Sequence, residues 1–442
     1  TRITQPMYRY DYTYWGSPLT LSSGYTLGLL TPFTRADKFY SWIPSVSNGN
    51  GNWQQESAAT VMDPEKGYIA RAPDTYSTNP STKTTYIATF TGTPNNGNIS
   101  APVSCGTLGT GTQNDKWNLL GNPYPSALDA NQFLNNNSNI QGTVSLWRHN
   151  TPISASNPDP FYGDFAYNYS DSDMLLYNAT ASVPAGFDGQ IASGQGFMVS
   201  MLDGCSGASL NVNFTNSMRS KTNNNFHRSS AVEKNRIWFS MVDKNRTATS
   251  AMIGYIEGAT NEKDRMYDAM ADLESTMKIY SLLDKTPLTI QGRAIPFDEN
   301  EIVPLGVKIS ISGTYTIAID QVDGLFDTQD IYLEDKLTNV IHNMKLAPYS
   351  FVSDTGTFND RFVLRYTTTS TLGVNNPNLS VTSVIALIKK DKINIQASEN
   401  IKKVQVFDIA GKLIKTYTPR NSSKTFVDDF YFSDGIYFAK IK

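Results

Sequence analysis

Apolar positions along this chain recur mostly at every second residue, in short runs that stop at Gly, Pro, Asn, Asp or Ser. That period belongs to β-strands with one buried face. In Tyr86-Ile87-Ala88-Thr89-Phe90 the alternation is too short and too β-branched for a helix, and Thr93-Pro94-Asn95-Asn96-Gly97 then ends it as a turn. The texture returns in LTIQGR (Leu288 to Arg293), VKISISG (Val307 to Gly313), TYTIAID (Thr314 to Asp320), IYLEDK (Ile331 to Lys336) and RFVLRY (Arg361 to Tyr366). Ala269 to Ser281 fits either a short helix or another strand. The pattern predicts an all-β chain made of several antiparallel β-sandwich domains, the last of them small and Ig-like.

An imperfect repeat runs through the first 220 or so residues, with four landmarks in the same order. One copy reads YWGSP (Tyr14 to Pro18), FYSW (Phe39 to Trp42), KGYIAR (Lys66 to Arg71) and IATFTG (Ile87 to Gly92). The other reads LLGNPYP (Leu119 to Pro125), VSLWRH (Val144 to His149), GQGFMVS (Gly194 to Ser200) and LNVNFTNS (Leu210 to Ser217). The Gly-x-Pro turns at Gly16 and Gly121 lie 105 residues apart. Gly-x-Pro fixes a turn that cannot continue a ladder, so these landmarks are scaffold signals. Between its tryptophan and its GQGF strand the second copy carries a longer insertion, Thr151 to Pro184, rich in Tyr, Asn, Asp, Ser and Pro, of the kind expected at the surface, where binding sites are added.

These boundaries divide the chain into a duplicated β-rich domain over 1–225, with copies at about 1–105 and 106–225, and a β-sandwich domain over 226–369. A Thr/Ser/Asn/Pro-rich linker over 370–382 and a small terminal domain over 383–442 follow. The 442 residues carry 37 basic and 40 acidic side chains, and a net charge of -3 lacks the basic surface that nucleic acid or anionic membrane binding needs. With 12% aromatic and 17% charged residues, and turns crowded with Asn, Gly, Ser, Thr and Pro, the balance is that of secreted all-β proteins. No run approaches the roughly 20 apolar residues of a spanning helix. The start at Thr1-Arg2, without Met or a signal-peptide apolar region, reads as a processed or truncated chain. Cys105 and Cys205 fit either one disulfide closing a long loop or two half-buried thiols, and their spacing matches no metal-site pattern.

The last sixty residues hold four alternating runs: INIQAS, VQVFDIAGKLI, KTFVDDFYF and GIYFAKIK. Periodicity makes them a small antiparallel sandwich, with a tight turn at Asp408 to Gly411 from which Lys412 restarts the strand. VQVFDIAGKLI (Val404 to Ile414) followed by DGIYFAKIK (Asp434 to Lys442) resembles the C-terminal sorting domain of type IX secretion cargo in Bacteroidota. The matching positions are Val404, Val406, Phe407, Asp408, Ile409, Gly411, Lys412, Gly435, Ile436 and Tyr437, and the signal is taken to run to the terminal Lys442. Many such domains open with Pro-Asn-Pro, where this chain has IKKDKINIQ (Ile388 to Gln396), as in a variant form of the signal. The resemblance implies recognition by the outer-membrane translocon, transfer to a PorV-like shuttle barrel, and cleavage by a sortase-type peptidase between Thr367 and Ile385. Release from the cell and anchoring to its surface both remain open. From Ser383 on there are 11 basic and 6 acidic residues, a basic balance that fits either an acidic receptor or a merely solvated face.

The body also resembles sequences that precede such signals in flavobacterial surface proteins, in WNLLGNPYPSALDANQFL (Trp117 to Leu134), IASGQGFMV (Ile191 to Val199) and YLEDKLTNVIHNMKLAPYSF (Tyr332 to Phe351). That resemblance implies an adhesin-like module for surface attachment or gliding, with a secreted carbohydrate-active enzyme, or its non-catalytic binding portion, as the alternative. Catalytic chemistry finds little purchase. His149, His227 and His342 stand in separate segments, and no GxSxG, HExxH or P-loop occurs. The pairs Asp171/Asp173 and Asp320/Asp323 fit turns better than glycosidase or calcium chemistry. No enzyme activity, cofactor or metal is expected. A glycan ligand is, with Trp42, Trp53, Trp147, Tyr162 and Tyr167 as stacking candidates against core packing as the plainer role.

Overall fold

The computed structural model describes the whole chain except residues 45–50, 108–115, 156–168, 171–172, 222–233, 274, 369–383, 390–391, 409–411, 420–422, 433–436 and 442. The class is all-β, and the chain divides into two compact units, Thr1–Thr368 and Thr369–Lys442.

The first unit begins with β1 (Arg2–Ile3), β2 (Tyr12–Trp15), β3 (Phe39–Ile43), β4 (Asn52–Gln55), β5 (Tyr68–Arg71) and β6 (Ile87–Ala88). It continues with β7 (Ile99–Ser104), β8 (Trp117–Gly121), β9 (Ala127–Asp129), β10 (Ile140–Trp147), β11 (Met174–Tyr177), β12 (Ser182–Val183), β13 (Gln190–Ile191), β14 (Gly196–Met201), β15 (Ser209–Phe214) and β16 (Arg219–Ser220). The sheet orders β2-β5-β3-β4 and β8-β14-β10-β11 are the same arrangement twice, with β12 added at the far edge of the second. The flanking ribbons repeat too, β1 pairing with β6 and β7 with β15. Each copy places one short helix after its Gly-x-Pro turn: α1 (Leu27–Leu30), capped by Thr26, and α2 (Ala130–Asn136), capped by Asp129. In part, then, the long Thr151 to Pro184 stretch is no insertion, because its strand β11 occupies the place of β4.

The two copies meet backbone to backbone. A Cβ on Gly16 would clash with the Cα of Gly121, and one on Gly121 with the Cα of Gly16. A Cβ on Gly67 would lie 2.6 Å from the carbonyl oxygen of Leu120, and one on Gly196 would lie 2.8 Å from the nitrogen of Trp15. Two peptide hydrogen bonds cross here, Gly16 N–H to Gly194 O (2.9 Å) and Gly67 N–H to Leu119 O (3.0 Å), while Asn122 N–H to Gln195 O (2.9 Å) braces the second copy's side of the joint. Only glycine permits an approach this close, which explains why both copies carry Gly-x-Pro and a glycine ahead of the next strand.

The rest of the first unit is one large sheet. Its strands are β17 (Lys234–Asp243), β18 (Ala248–Ile256), β19 (Ala269–Met270), β20 (Met277–Leu283), β21 (Thr286–Arg293), β22 (Ile302–Ile309), β23 (Gly313–Asp323), β24 (Tyr332–Asp335), β25 (Val340–Asn343), β26 (Tyr349–Ser353) and β27 (Gly356–Arg365). The path β25-β24-β27-β22-β20-β21-β18-β17-β23-β26, with β19 beside β21, curls until its two ends meet. Between Ala269 and Ser281, then, the choice between helix and strand falls to strand. Inside lies an apolar core that includes Ile237, Phe239, Ile253, Ile279, Leu305, Phe326 and Phe362. Side chains close the ring: Arg361 donates to both oxygens of Asp335 (3.1 and 2.8 Å) and to the Val352 carbonyl, and the Tyr349 hydroxyl donates to Asp335 (2.9 Å). The Arg361 guanidinium lies 4.8 Å from the ring centres of both Phe351 and Phe362, and Asp335 has 0% of its surface exposed. The outer face of β17, β18 and β21 is covered by Ala181 and Val183 of the second copy, and the Trp238 indole N–H donates to the Ser182 carbonyl (2.8 Å).

The second unit is two three-stranded antiparallel sheets around one core. Its strands are β28 (Val384–Lys389), β29 (Lys392–Ile401), β30 (Val404–Phe407), β31 (Leu413–Tyr417), β32 (Ser423–Asp429) and β33 (Phe438–Ile441). The orders are β28-β29-β32 and β31-β30-β33, and Ile393, Ile395, Val404, Val406, Tyr417 and Phe426 fill the space between them.

Candidate functional site

A cleft of about 250 Å³ opens in the first unit where the second copy meets the large curled sheet. One wall is the segment after β12, bearing Phe187 and Asp188; the other comprises Lys234, Arg236 and Gln321 from β17 and β23. The alternation in β17 turns Ile237 and Phe239 to the core and Arg236 and Trp238 outward, so the guanidinium rests over the indole, 4.7 Å from its ring centre.

Arg236 is held from three sides. Its Nε donates to Asp323 (2.9 Å), Nη2 pairs with the same carboxylate, and Nη1 donates to the Thr180 carbonyl (3.1 Å). Lys234 Nζ donates to the Ala179 carbonyl (2.9 Å), and burial, followed by the neighbouring guanidinium, holds its pKa below the usual lysine range. On the opposite wall Phe187 N–H donates to Ser182 Oγ (3.1 Å), and the Phe187 ring meets Tyr177 edge-on at 5.2 Å. Gly189, at φ +85°, has the Tyr177 hydroxyl where a side chain would stand. Neither wall was visible as a site in the sequence. Nothing in the sequence around Lys234 and Arg236 marks them, because their partners lie 55 and 87 residues away.

The stacking candidates sit elsewhere. Trp42 (9% exposed) is buried and Trp53 and Trp147 half-buried in the layer between the two repeat sheets, packed with Tyr12, Tyr14, Leu119 and Met198. Tyr14 stacks on Trp147 at 5.9 Å, Trp42 meets Trp53 edge-on at 5.1 Å, and the Trp42 indole N–H donates to the Trp117 carbonyl (2.7 Å). These rings are the shared core of the duplication and form no open platform, which corrects their candidacy for sugar stacking. Tyr162 and Tyr167 lie outside the described residues.

The titratable candidates are scattered. Asp173 is 1% exposed and accepts from the backbone N–H (2.9 Å) and hydroxyl (3.0 Å) of Thr151; burial raises its pKa to about 6. Asp11, on the first copy, caps the Tyr8 N–H (3.0 Å) and is raised to about 6 by burial, with Asp173 adding to the effect. His149 is buried beside them and shifted down by burial and by Lys83, whose ammonium donates to the His149 carbonyl (3.0 Å). The seam between the copies thus holds titrating groups from both. Asp320 accepts from Ser240 Oγ (2.7 Å), Asp323 serves Arg236, and half-buried His342 bonds the Ala347 carbonyl (2.7 Å). Asp171 and His227 lie outside the described residues.

In the second unit Val404 and Val406 are fully buried on the central strand β30, Phe407 is half-buried, and Tyr437 packs edge-on to Phe430 at 5.1 Å. Asp408 and Lys412 close a turn: the Lys412 N–H donates to the Asp408 carboxylate (2.9 Å) and the Asp408 N–H to the Lys412 carbonyl (3.0 Å). Gly411, Gly435, Ile436 and Lys442 lie outside the described residues. Cys105 and Cys205 form a disulfide with Cα atoms 6.0 Å apart, just beyond the last rung of the β7–β15 ladder, where Ser104 faces Ser209.

Two family models match the chain: a domain of unknown function, DUF8693, over residues 1–366, and a second domain of unknown function, DUF8694, over residues 372–442. No curated protein and no solved structure matches it.

Proposed function

The chain belongs to the DUF8693 family, and we propose that this member is a secreted or surface-displayed binding protein, in which the first unit is the adhesin-like body and the second the export signal. One observation carries the reading of the signal. The last seventy or so residues fold around their own core and match a family model separate from the body's, as a transferable tag should. The VQVFDIAGKLI and DGIYF motifs supply the type IX resemblance. On this reading the partners are the outer-membrane translocon, a PorV-like shuttle and a sortase-type peptidase acting in the linker.

The disulfide supports the same compartment, since such bonds persist where the surroundings oxidise thiols. In the body, the cleft between the second copy and the curled sheet is a concave, polar feature suited to a small ligand, and a glycan is the class we propose.

The test of export is a fusion of residues 369–442 to a periplasmic fluorescent protein in a bacterium that has the type IX system. Fluorescence at the cell surface or in the medium is the expected outcome. A reporter that stays in the periplasm overturns the assignment.

A further inference from the structure

We propose that the cleft binds the carboxylate of an acidic sugar, a single uronic acid residue of a glycan chain. This rests on reading the body as a glycan-binding module.

Hydrogen-bond accounting comes first. A guanidinium carries five N–H donors. Arg236 commits one from Nε and one from Nη2 to Asp323 and one from Nη1 to Thr180, which leaves two. An ammonium carries three donors, and Lys234 commits one, to the Ala179 carbonyl. The Lys234 and Arg236 wall of the cleft therefore keeps two guanidinium and two ammonium donors beyond those bonds. A ligand carboxylate can accept charge-assisted hydrogen bonds from both side chains.

The opposite wall sets the rest of the ligand. Phe187 is half-buried and lines the cleft, giving the C–H face of a sugar ring an apolar surface. Asp188 on this wall and Gln321 on the Arg236 wall are exposed and suit hydroxyl groups, and Asp188 opposes a second ligand carboxylate. At about 250 Å³ the space is below the roughly 300–1,000 Å³ typical of drug-sized ligand pockets, which limits it to about one ring. Both walls are fixed beforehand: Asp323 and Thr180 lock Arg236, and Gly189, bonded to the Ala130 N–H (2.9 Å), anchors the Phe187 segment against Tyr177. A site preorganised in this way loses little side-chain entropy on binding.

The experiment is calorimetric titration of the full chain with D-galacturonate and D-glucuronate, against D-galactose and D-glucose. At least one uronate should bind at least ten-fold more tightly than its neutral counterpart, and added salt should weaken it. Lys234→Gln should lower uronate affinity about ten-fold or more while the melting temperature stays near that of the parent. Phe187→Ala should weaken binding without changing its salt dependence. Equal affinity for uronate and neutral sugar, or uronate binding untouched by Lys234→Gln, overturns the proposal. If neutral glycans on an array bind and uronates do not, the cleft assignment fails while the glycan-binding reading stands. If neither binds, both fail.

Discussion

The first unit joins free elements in two places by opposite means. Between the two repeat copies the contact is made by absent side chains: Gly16 and Gly121 press Cα to Cα, Gly67 and Gly196 admit neighbouring backbone, and peptide hydrogen bonds cross. Where the large sheet closes on itself the contact is made by long side chains, with Arg361 against two phenyl rings, its Nε and Nη2 on buried Asp335 and its Nη1 on the Val352 carbonyl. The first joint is steric, indifferent to charge and intolerant of any added atom. The second is electrostatic, and each partner is costly only when the other is missing. A duplicated fold can reuse one glycine joint because both copies inherit the same residues; a single sheet that closes must find its partners at unrelated positions.

Removing one side of the ionic closure should have the largest effect. Arg361→Met leaves the Asp335 carboxylate buried and unpaired, and chemical denaturation should show a loss of about 3–5 kcal/mol. The double variant Arg361→Met with Asp335→Leu should recover most of that. If the double variant is as unstable as the single, the closure depends on packing and the contrast fails. At the glycine joint, Gly16→Ala or Gly121→Ala should cost about 1–3 kcal/mol, and the loss should be the same at low and high salt. A loss that changes with salt would show that charge contributes there too.

The smallest effect concerns the polar part of the seam. Asp173 titrates near 6 when folded against 3.8 for the free side chain, so between those values the folded protein keeps a proton that the unfolded chain has released. Its contribution is most favourable below about pH 4 and is lost as the pH rises through about 6. His149, lowered from 6.5, acts in the other direction, disfavouring the folded state as the pH falls. Relative to Asp173→Asn, the parent protein should therefore lose on the order of 1 kcal/mol of stability between pH 4 and 7. A flat difference would remove Asp173 from the account of the seam.

Much of the strand pattern was legible because one-sided burial writes a period of two into the sequence. Tyr332 to Asp335 and Thr314 to Asp320 are strands for that reason. The alternation misleads where it runs through a turn: VKISISG continues to Gly313, but the strand ends at Ile309 and Ile311 is 66% exposed. The repeat was legible through its glycines, although the reason for them, a backbone contact across 105 residues, was not. The tryptophans show the limit most plainly. An aromatic residue in a strand looks the same in sequence whether its ring faces solvent or a second sheet, and only the pairing of the two copies decides. The cleft was illegible because its charges come from β17 and its apolar wall from a loop of the second copy, and no local pattern links them.

The Cys105–Cys205 bond has a mechanical meaning for any load applied along the chain. Tension along the chain from residue 105 to residue 205 passes through two sulfur atoms instead of the 100-residue span between them. At roughly 3.3–3.6 Å per residue of extended chain, about 340 Å of slack is withheld from a stretched molecule. The part of the second copy inside that loop, the Phe187 wall of the cleft included, is shielded from that tension, and its unfolding would add no length to the tether.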